Sequence, residues 1–325
     1  MTLLRALHAI AIGAALMAPV TADATEGWPT RVIQVVSPFS AGNANEVVAR
    51  IVLDQVSRQI GQPFVIENRP GAGGTVGAAA VAKADPDGYT ILLHSASLSS
   101  QAVLHKSLPY DSVRDFAPVA MFGIQPSVLV TAPSKSFKSV ADIVTTAKAK
   151  PGALNYASAG IGSASHMAAE RLRLAAGIDV QHVPFRGPME AFTEVMSGRI
   201  DFYFLPIAPA VPAIGDGKLL PLAVSTPKRA LLLPNVPTVA EAGYPGAEYL
   251  FWGGLSAPAK TPRAIIDKLH DETAKALAIP EIQARLQKLG VQTEVMSVEQ
   301  FEQFVRDDLT ATVNLAKAAR ITPAD

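Results

Sequence analysis

Short apolar runs alternate with longer amphipathic runs along most of this chain, and this alternation restricts the fold more than any other feature of the sequence. Eight short runs have the composition of strands: RVIQVVS, FVIEN, YTILLHS, PSVLVTA, LNYAS, VQHVPF, IDFYFL and LPLAVST. Four longer runs have the apolar spacing of helices: EVVARIVLDQVSRQI, VADIVTTAKAK, SHMAAERLRLAAG and MEAFTEVMSG. Parallel strands need a crossover, usually a helix, between them. The sequence therefore predicts an α/β fold of mostly parallel sheets flanked by helices.

The composition is that of a large globular protein. The chain has 325 residues, of which 49% are hydrophobic and 17% are charged, and this is enough for two domains. Basic and acidic residues are balanced at 28 each and form no run of one sign, so the sequence predicts no nucleic-acid partner. Cysteine is absent from the chain, which excludes disulfides, thiolate nucleophiles and sulfur-ligated metals.

The N-terminal residues 1–24 have the layout of a secretory signal peptide. Arg5 precedes an apolar run over residues 9–18, and Ala22 and Ala24 match the A-x-A cleavage pattern. The alternative, a membrane anchor, is disfavoured because a spanning helix needs roughly 20 apolar residues. We expect cleavage near Thr25 and a mature protein in the periplasm.

The letters SAG occur at two predicted strand-to-helix turns, SAGNANE at residues 40–46 and SAGIGSASH at residues 158–166. Ligands of open α/β sheets bind beyond the carboxyl ends of the strands, where both turns should lie. Glycines let the backbone approach a ligand, and the first N–H groups of a helix lack internal partners and favour an anion. The two turns together predict a cradle for a small anion. The alternative is that Asn45 and Ser163 only cap their helices.

No motif in the sequence supports a catalytic or cofactor site. No stretch matches the G-x-S-x-G elbow of serine hydrolases. The glycine run PGAGGTVG has Val76 where a dinucleotide fingerprint requires its last glycine. The histidines after the predicted cleavage site lack the spacing of a zinc site. We therefore predict no catalytic residue, no cofactor and no metal.

Six segments, in order along the predicted mature chain, resemble the substrate-binding proteins of tripartite tricarboxylate transporters, often called the Bug family. The segments are RPGAGGTVGAAAVAKADPDGYTILL, LPYDSVRDFAPVA, KPGALNYASAGIGSASHMAAE, HVPFRG, LPNVPTVAEAGYPG and WGGLSAPAKTP. The resemblance implies a two-lobed periplasmic binding protein of the Venus-flytrap kind, similar to type II. It also implies a ligand, usually a carboxylate, that is held in the cleft by the two SAG loops.

The chain departs from the family pattern in the first of these loops. The family commonly has P-x-G-G-x-x-D, whereas this chain has Asn43 at the second glycine and Glu46 at the aspartate. Glu46 lies four residues before Arg50 on the predicted helix, a spacing that favours a local ion pair. In HVPFRG, Arg186 replaces a frequent lysine, and it either offers a planar fork to a carboxylate or makes a surface pair at a helix start.

The candidate ligand-binding residues come from the two loops, from Arg186 and from the ends of other predicted strands. They are Phe39, Ser40, Ala41, Gly42, Asn43, Ser95, Ser97, Ser158, Ala159, Gly160, Gly162, Ser163, Arg186, Phe204 and Pro206.

We expect lobe 1 to hold residues 25–126 and 252–325, and lobe 2 to hold residues 127–251, with extended crossings near residues 122–133 and 247–258. The helix-rich region over residues 262–319 is expected to pack on lobe 1. The predicted function is an exported, monomeric receptor that binds a small organic carboxylate unchanged and delivers it to a tripartite tricarboxylate-type membrane permease. The rival hypotheses are a ligand-sensing partner of a membrane sensor kinase, and a hydrolase or dehydrogenase that uses the same cleft.

Overall fold

The computed structural model describes residues 27–323, so the predicted signal peptide at residues 1–24 lies outside the described residues. The strands are β1 (Ile33–Ser37), β2 (Phe64–Asn68), β3 (Thr90–Ser95), β4 (Phe116–Gln125), β5 (Ser127–Thr131), β6 (Asn155–Ser158), β7 (Gln181–Pro184), β8 (Phe202–Pro206), β9 (Leu220–Val224) and β10 (Phe251–Pro258). The helices are α1 (Ala44–Ile60), α2 (Thr75–Ala82), α3 (Ser97–Leu104), α4 (Val140–Ala149), α5 (Ala164–Ala176), α6 (Pro188–Met196), α7 (Ile207–Gly215), α8 (Arg263–Leu277), α9 (Pro280–Lys288) and α10 (Val298–Ala319). None of these helices combines the length and the apolar character that crossing a bilayer requires.

The strands form two five-stranded sheets with matching topology. The order in the first sheet is β2-β1-β3-β10-β4, and the order in the second is β7-β6-β8-β5-β9. In the first sheet β10 runs antiparallel to both of its neighbours, and in the second sheet β5 does so. The other pairs are parallel, so each sheet is mixed and contains one reversed strand. The predicted α/β class with two helix-flanked sheets is confirmed.

The reversed strands are those that receive the chain from the other sheet. The strand β4 ends at Gln125 in the first sheet, and β5 begins at Ser127 in the second, so the chain crosses at Pro126. The return crossing comes just before Phe251, where β10 begins. Both crossings fall within the extended stretches that the sequence indicated. The lobe boundaries at residues 126/127 and 251/252 stay a prediction; below, each sheet and the helices packed on it are called lobe 1 and lobe 2.

Each sheet is covered by helices whose apolar faces complete its core. In lobe 1, the strand residues Ile33 and Val35 pack with buried residues of α1, α8 and α9. In lobe 2, Leu129 packs with α4 and α5, whereas its neighbour Val128 packs with α6 and α7. Successive residues of a strand point to opposite faces, so β5 contributes to both layers of its lobe.

The C-terminal helix α10 contacts both lobes, whereas the sequence suggested packing on lobe 1. Its N-terminal half packs on lobe 1, where Phe301 meets the Trp252 ring edge-on. Asp308, further along the helix, accepts a hydrogen bond of 2.6 Å from Ser99 in α3, and burial raises the pKa of Asp308 to about 6. Near its end, Leu315 joins the core of lobe 2. Both lobes are therefore anchored to one long helix.

Candidate functional site

A cavity of about 440 Å³ lies between the two lobes, at the starts of several helices. Its polar lining residues are Asn43, Asn45, Ser97, Gln125, Ser127, Ser163, Ser165 and Tyr203. Its apolar lining residues are Phe39, Ala44, Val47, Val48, Pro126, Ala159, Ala164, Pro188, Phe204, Pro206, Ile207, Ala208, Pro209, Phe251 and Leu289. The size is typical of a small-molecule site.

The lobe 1 loop over residues 40–46 is held by the side chain of Asn43, the N-cap of α1. The Asn43 Oδ1 accepts a hydrogen bond of 3.0 Å from the Glu46 backbone N–H. Its Nδ2 donates to the Ser40 carbonyl at 2.9 Å and to Ser37 Oγ at 3.2 Å. The amide of Asn43 thus fixes the loop to both the strand before it and the helix after it.

Glu46 also stabilises this loop, and its side chain is buried, with only 3% of its surface exposed. Its carboxylate accepts hydrogen bonds from the Gly42 N–H at 3.2 Å, from Asn68 Nδ2 at 2.7 Å and from the Arg50 guanidinium at 2.6 Å. Burial alone would raise the pKa of Glu46, but the bonds from Asn68 and Arg50 outweigh it and hold the pKa below its usual value. The predicted Glu46–Arg50 ion pair is present, and Glu46 supports the loop without lining the cavity.

The lobe 2 loop over residues 158–165 is built by three serines and a histidine. Ser163 is the N-cap of α5, and its Oγ donates to the Gly160 carbonyl at 2.7 Å and accepts from the His166 N–H at 3.4 Å. Ser165 Oγ accepts from the Ala159 N–H at 3.0 Å. The capping role of Ser163 is therefore real, and Ser163 also lines the cavity.

Two stacked imidazoles lie behind this loop. The rings of His166 and His182 are 4.1 Å apart, and His166 Nδ1 accepts a hydrogen bond of 3.0 Å from the Gly162 N–H. His182 Nε2 lies 2.6 Å from Ser158 Oγ. Burial lowers the pKa of both rings, and that of His182 falls to about 4, with His166 acting in the same direction. Both rings are thus neutral near pH 7 and orient the loop as hydrogen-bonding groups without charge.

The starts of α1 and α5 reach the cavity from opposite lobes. The backbone N–H groups of Ala44 and Asn45 in α1, and of Ala164 and Ser165 in α5, belong to first turns that have no intrahelical acceptor. All four residues line the cavity. The positive ends of two helix dipoles therefore meet there, which is an arrangement that favours an anion.

Tyr203 adds a hydroxyl group to the lobe 2 wall of the cavity. The residue is fully buried, and its Oη has no hydrogen-bond partner among residues 27–323. Burial raises the pKa of Tyr203 to about 12, although the nearby Ser165 hydroxyl acts in the opposite direction. The phenol stays protonated at neutral pH and keeps a proton to donate.

The lobes approach each other closely at Gly162, in the second loop. A Cβ atom built on Gly162 would overlap with the side chain of Leu104, the last residue of α3 in lobe 1. The φ angle of Gly162 is +75°, which L side chains rarely adopt. Glycine at this position lets the second loop fit against lobe 1.

The structure brings some of the predicted site residues together at the cavity. Those that line it are Phe39, Asn43, Ser97, Ala159, Ser163, Phe204 and Pro206. Those outside its lining are Ser40, Ala41, Gly42, Ser95, Ser158, Gly160, Gly162 and Arg186. The loop members of this second set shape the loops. Arg186 is exposed, and its backbone N–H donates to the Glu190 carboxylate at 3.2 Å. The assignment of ligand contacts stays a prediction.

Sequence reasoning missed several polar residues of the lining. Gln125 and Ser127 flank Pro126 at the crossing between lobes, and Gln125 Nε2 donates to Asn45 Oδ1 at 2.8 Å. Their place beside a predicted crossing was a usable signal, because such crossings border the cleft. Tyr203 lies inside a buried strand and carries no comparable signal in the sequence.

Comparison with known proteins assigns the fold and the family. Residues 48–320 match the model of the tripartite tricarboxylate transporter family receptor. The chain belongs to this receptor family. The receptor is also similar to three solved proteins: R. palustris Rpa4515 with adipate, the periplasmic binding protein BugD, and MatC from Rhodopseudomonas palustris with bound malate.

The structural likeness to these proteins extends over most of the receptor. Rpa4515 is 31% identical with a TM-score of 0.81, and the match covers 91% of this chain and 100% of that one. BugD is 31% identical with a TM-score of 0.77 and the same two coverages. MatC is 32% identical with a TM-score of 0.77, covering 89% of this chain and 99% of that one. The predicted Bug-type periplasmic binding protein fold is confirmed.

Proposed function

We propose that this receptor is exported, captures a small organic carboxylate in the cavity between its lobes, and delivers it unchanged to a membrane permease of the tripartite tricarboxylate type. The observation that carries the proposal is the meeting of α1 and α5, whose first turns line one cavity from opposite lobes. A carboxylate placed there would accept N–H hydrogen bonds from both lobes and lie at two positive dipole ends.

Related structures support the chemical class of the ligand. Adipate and malate, which accompany two of the similar proteins, are both organic carboxylates. The family description names a transporter receptor, which supports capture and delivery as the role of this chain. The similar protein BugD is described as periplasmic, and this supports export of the present one.

Calorimetric titration with a panel of organic acids and their methyl esters tests carboxylate capture. We expect at least one acid to bind, and its ester to bind at least about 10-fold more weakly, because the donors lose a charged acceptor. Equal affinity for acid and ester would contradict the proposal. Mass spectrometry of the ligand after incubation tests for catalysis, since a receptor returns the acid intact.

Uptake and fractionation experiments test delivery and export. Labelled acid should enter membrane vesicles that contain the cognate permease only when the receptor is added. In cells, the periplasmic fraction should contain a chain that lacks about 24 N-terminal residues, as the signal-peptide layout predicts. Uptake that is independent of the receptor would contradict the transport role.

A further inference from the structure

We infer that the ligand of this receptor carries a hydroxyl group close to a carboxylate, and that the side chains of Asn45, Gln125 and Ser127 select for this hydroxyl. These three side chains are called the crossing subsite below, because Gln125 and Ser127 flank the point where the chain passes from lobe 1 to lobe 2. The inference rests on the proposed function, since it takes carboxylate capture in the cavity between the lobes as given.

The crossing subsite consists of polar side chains that are buried and line the cavity. Asn45 is 5% exposed and Ser127 is 4% exposed, and all three residues belong to the cavity lining. Gln125 Nε2 donates to Asn45 Oδ1 at 2.8 Å, which orients both amides. Asn45 Nδ2, Gln125 Oε1 and Ser127 Oγ then have no hydrogen-bond partner among residues 27–323. Buried polar groups without a partner are rare, so these atoms indicate a polar group on the ligand.

The free atoms of the crossing subsite include both a donor and an acceptor. Asn45 Nδ2 donates, Gln125 Oε1 accepts, and the Ser127 hydroxyl does either. Exchanging nitrogen and oxygen in both amides would leave the same set, with one free NH₂ group and one free carbonyl. A hydroxyl matches this set because it donates and accepts at once. A carboxylate only accepts, so it would lie against the lone pairs of the free amide carbonyl.

The helix starts at the cavity offer a different kind of group. The first turns of α1, α3 and α5 begin at Ala44, Ser97 and Ala164, which all line the cavity, and their backbone N–H groups are donors only. These donors suit the oxygen atoms of one carboxylate or of two, but none of them can accept a proton from the ligand. The number of carboxylates on the ligand is therefore independent of the hydroxyl.

Asn45 connects the crossing subsite to the carboxylate cradle. Its backbone N–H lies in the first turn of α1, and its side chain belongs to the subsite, so the carboxylate and the hydroxyl contact the same residue. The hydroxyl must therefore lie close to the carboxylate on the ligand. The Asn45 amide is also confined, because a Cβ atom on Gly253 in β10 would lie 2.6 Å from Asn45 Oδ1. Glycine at this position leaves room for the amide beside the cavity.

Matched acids with and without a hydroxyl test the inference on the unmodified receptor. The pairs are lactate against propanoate, 3-hydroxybutanoate against butanoate, and malate against succinate, titrated by calorimetry. We expect at least one hydroxy acid to have a Kd at least about 10-fold below that of its partner, because the partner leaves buried polar groups of the subsite unpaired. Methyl esters of the hydroxy acids show whether the carboxylate itself is bound.

Two variants test whether the crossing subsite is the source of this preference. Gln125→Met keeps a side chain of similar length without its hydrogen-bonding atoms, and it should reduce the preference for the hydroxy acid to less than about threefold. Ser127→Ala should reduce the preference at least about twofold. Gln287→Met is the matched control, since Gln287 is an exposed glutamine of α9 outside the cavity lining, and this variant should keep the wild-type preference. Circular dichroism confirms that each variant is folded.

The outcomes separate this inference from the function on which it rests. Acids that bind equally well with and without the hydroxyl would overturn the hydroxyl inference and leave the receptor function intact. A hydroxyl preference that survives both Gln125→Met and Ser127→Ala would overturn the assignment to the crossing subsite. Esters that bind as tightly as the acids, or a complete absence of acid binding in a folded sample, would overturn carboxylate capture itself.

Discussion

Removing one buried hydroxyl group should make the unliganded receptor more stable and its ligand binding weaker. Tyr203 is fully buried, and its Oη lacks a partner within residues 27–323. Leaving a buried polar group unsatisfied costs about 1–3 kcal/mol, so Tyr203→Phe should raise the free energy of unfolding by about 1 kcal/mol without ligand. If Tyr203 donates to the carboxylate, the variant also loses a hydrogen bond to a charged group, worth about 1.5–3 kcal/mol or about 10- to 150-fold in affinity.

Tyr156→Phe is the matched control for this substitution. Tyr156 is also a fully buried tyrosine of lobe 2, but its hydroxyl donates to Glu170 at 2.5 Å and does not line the cavity. We expect this control to lower the free energy of unfolding by about 1.5–3 kcal/mol and to leave affinity within about twofold of wild type. Urea unfolding and calorimetric titration measure both quantities. A Tyr203→Phe variant that is less stable than wild type and binds the acid normally would refute the assignment of Tyr203 to the ligand.

Three further predictions concern the loops and the C-terminal helix. Ser163→Ala should weaken ligand binding by about 10-fold or more, because it loosens the start of α5. Arg186→Ala should change the affinity less than about fivefold, because Arg186 is exposed. Calorimetric titration of both variants, with circular dichroism to confirm folding, decides whether the backbone cradle or an arginine clamp holds the carboxylate. Gly162→Ala should weaken binding because its Cβ would overlap with Leu104, and adding Leu104→Ala should recover part of the affinity; no recovery in the double variant would contradict a steric cause. Burial raises the pKa of Asp308 from 3.8 to about 6, so between these two pH values the folded chain retains a proton that the unfolded chain releases. The free energy of unfolding therefore falls as the pH rises from about 4 to about 6. Asp308→Asn should therefore stabilise the protein by at most about 3 kcal/mol in urea unfolding at about pH 7.5, and a gain that persists at about pH 4 would contradict this account.

The alternation of apolar runs was sufficient to predict eight of the ten strands described in the two sheets. It missed β4, which ends at the first crossing between lobes, and β10, which begins after the second. The strand β10 reads FWGGLSAP, and its glycines and proline resemble a turn. The structure needs these glycines, because a Cβ on Gly253 would lie 2.6 Å from Asn45 Oδ1, and one on Gly254 would overlap with the Ala120 carbonyl. Similarly, Gly123 in β4 lies against the backbone of Gln292. Glycine is therefore required at these strand positions because another part of the chain lies close to them. The local sequence pattern carries no information about such long-range contacts.

The two loops of the candidate site were predictable because strand-to-helix turns with capping side chains have a local signature. The rest of the lining was not, because it comes from positions that only the folded chain brings together. Tyr203 lies in the middle of a buried run, where a core role is the default reading, and Leu289 follows a helix of lobe 1 that has no motif in common with the loops. Pro188 and Pro209 look like ordinary helix-start prolines until their position at the cavity is known.

The departure of the first loop from the family pattern changes how the loop is held more than what it offers a ligand. Asn43 uses both ends of its amide within the loop, and Glu46 accepts the Gly42 N–H, so these two side chains are occupied in fixing the backbone. In the second loop, the Ser163 hydroxyl donates to the Gly160 carbonyl and the His166 ring accepts the Gly162 N–H, so these side chains also fix the backbone. The backbone groups left without acceptors among the described residues are the N–H groups of the first helical turns, which exist whatever the side chains are. Substitutions of these four side chains should therefore alter affinity by moving the N–H groups, and the identity of the bound acid should depend instead on the cavity side chains that face them.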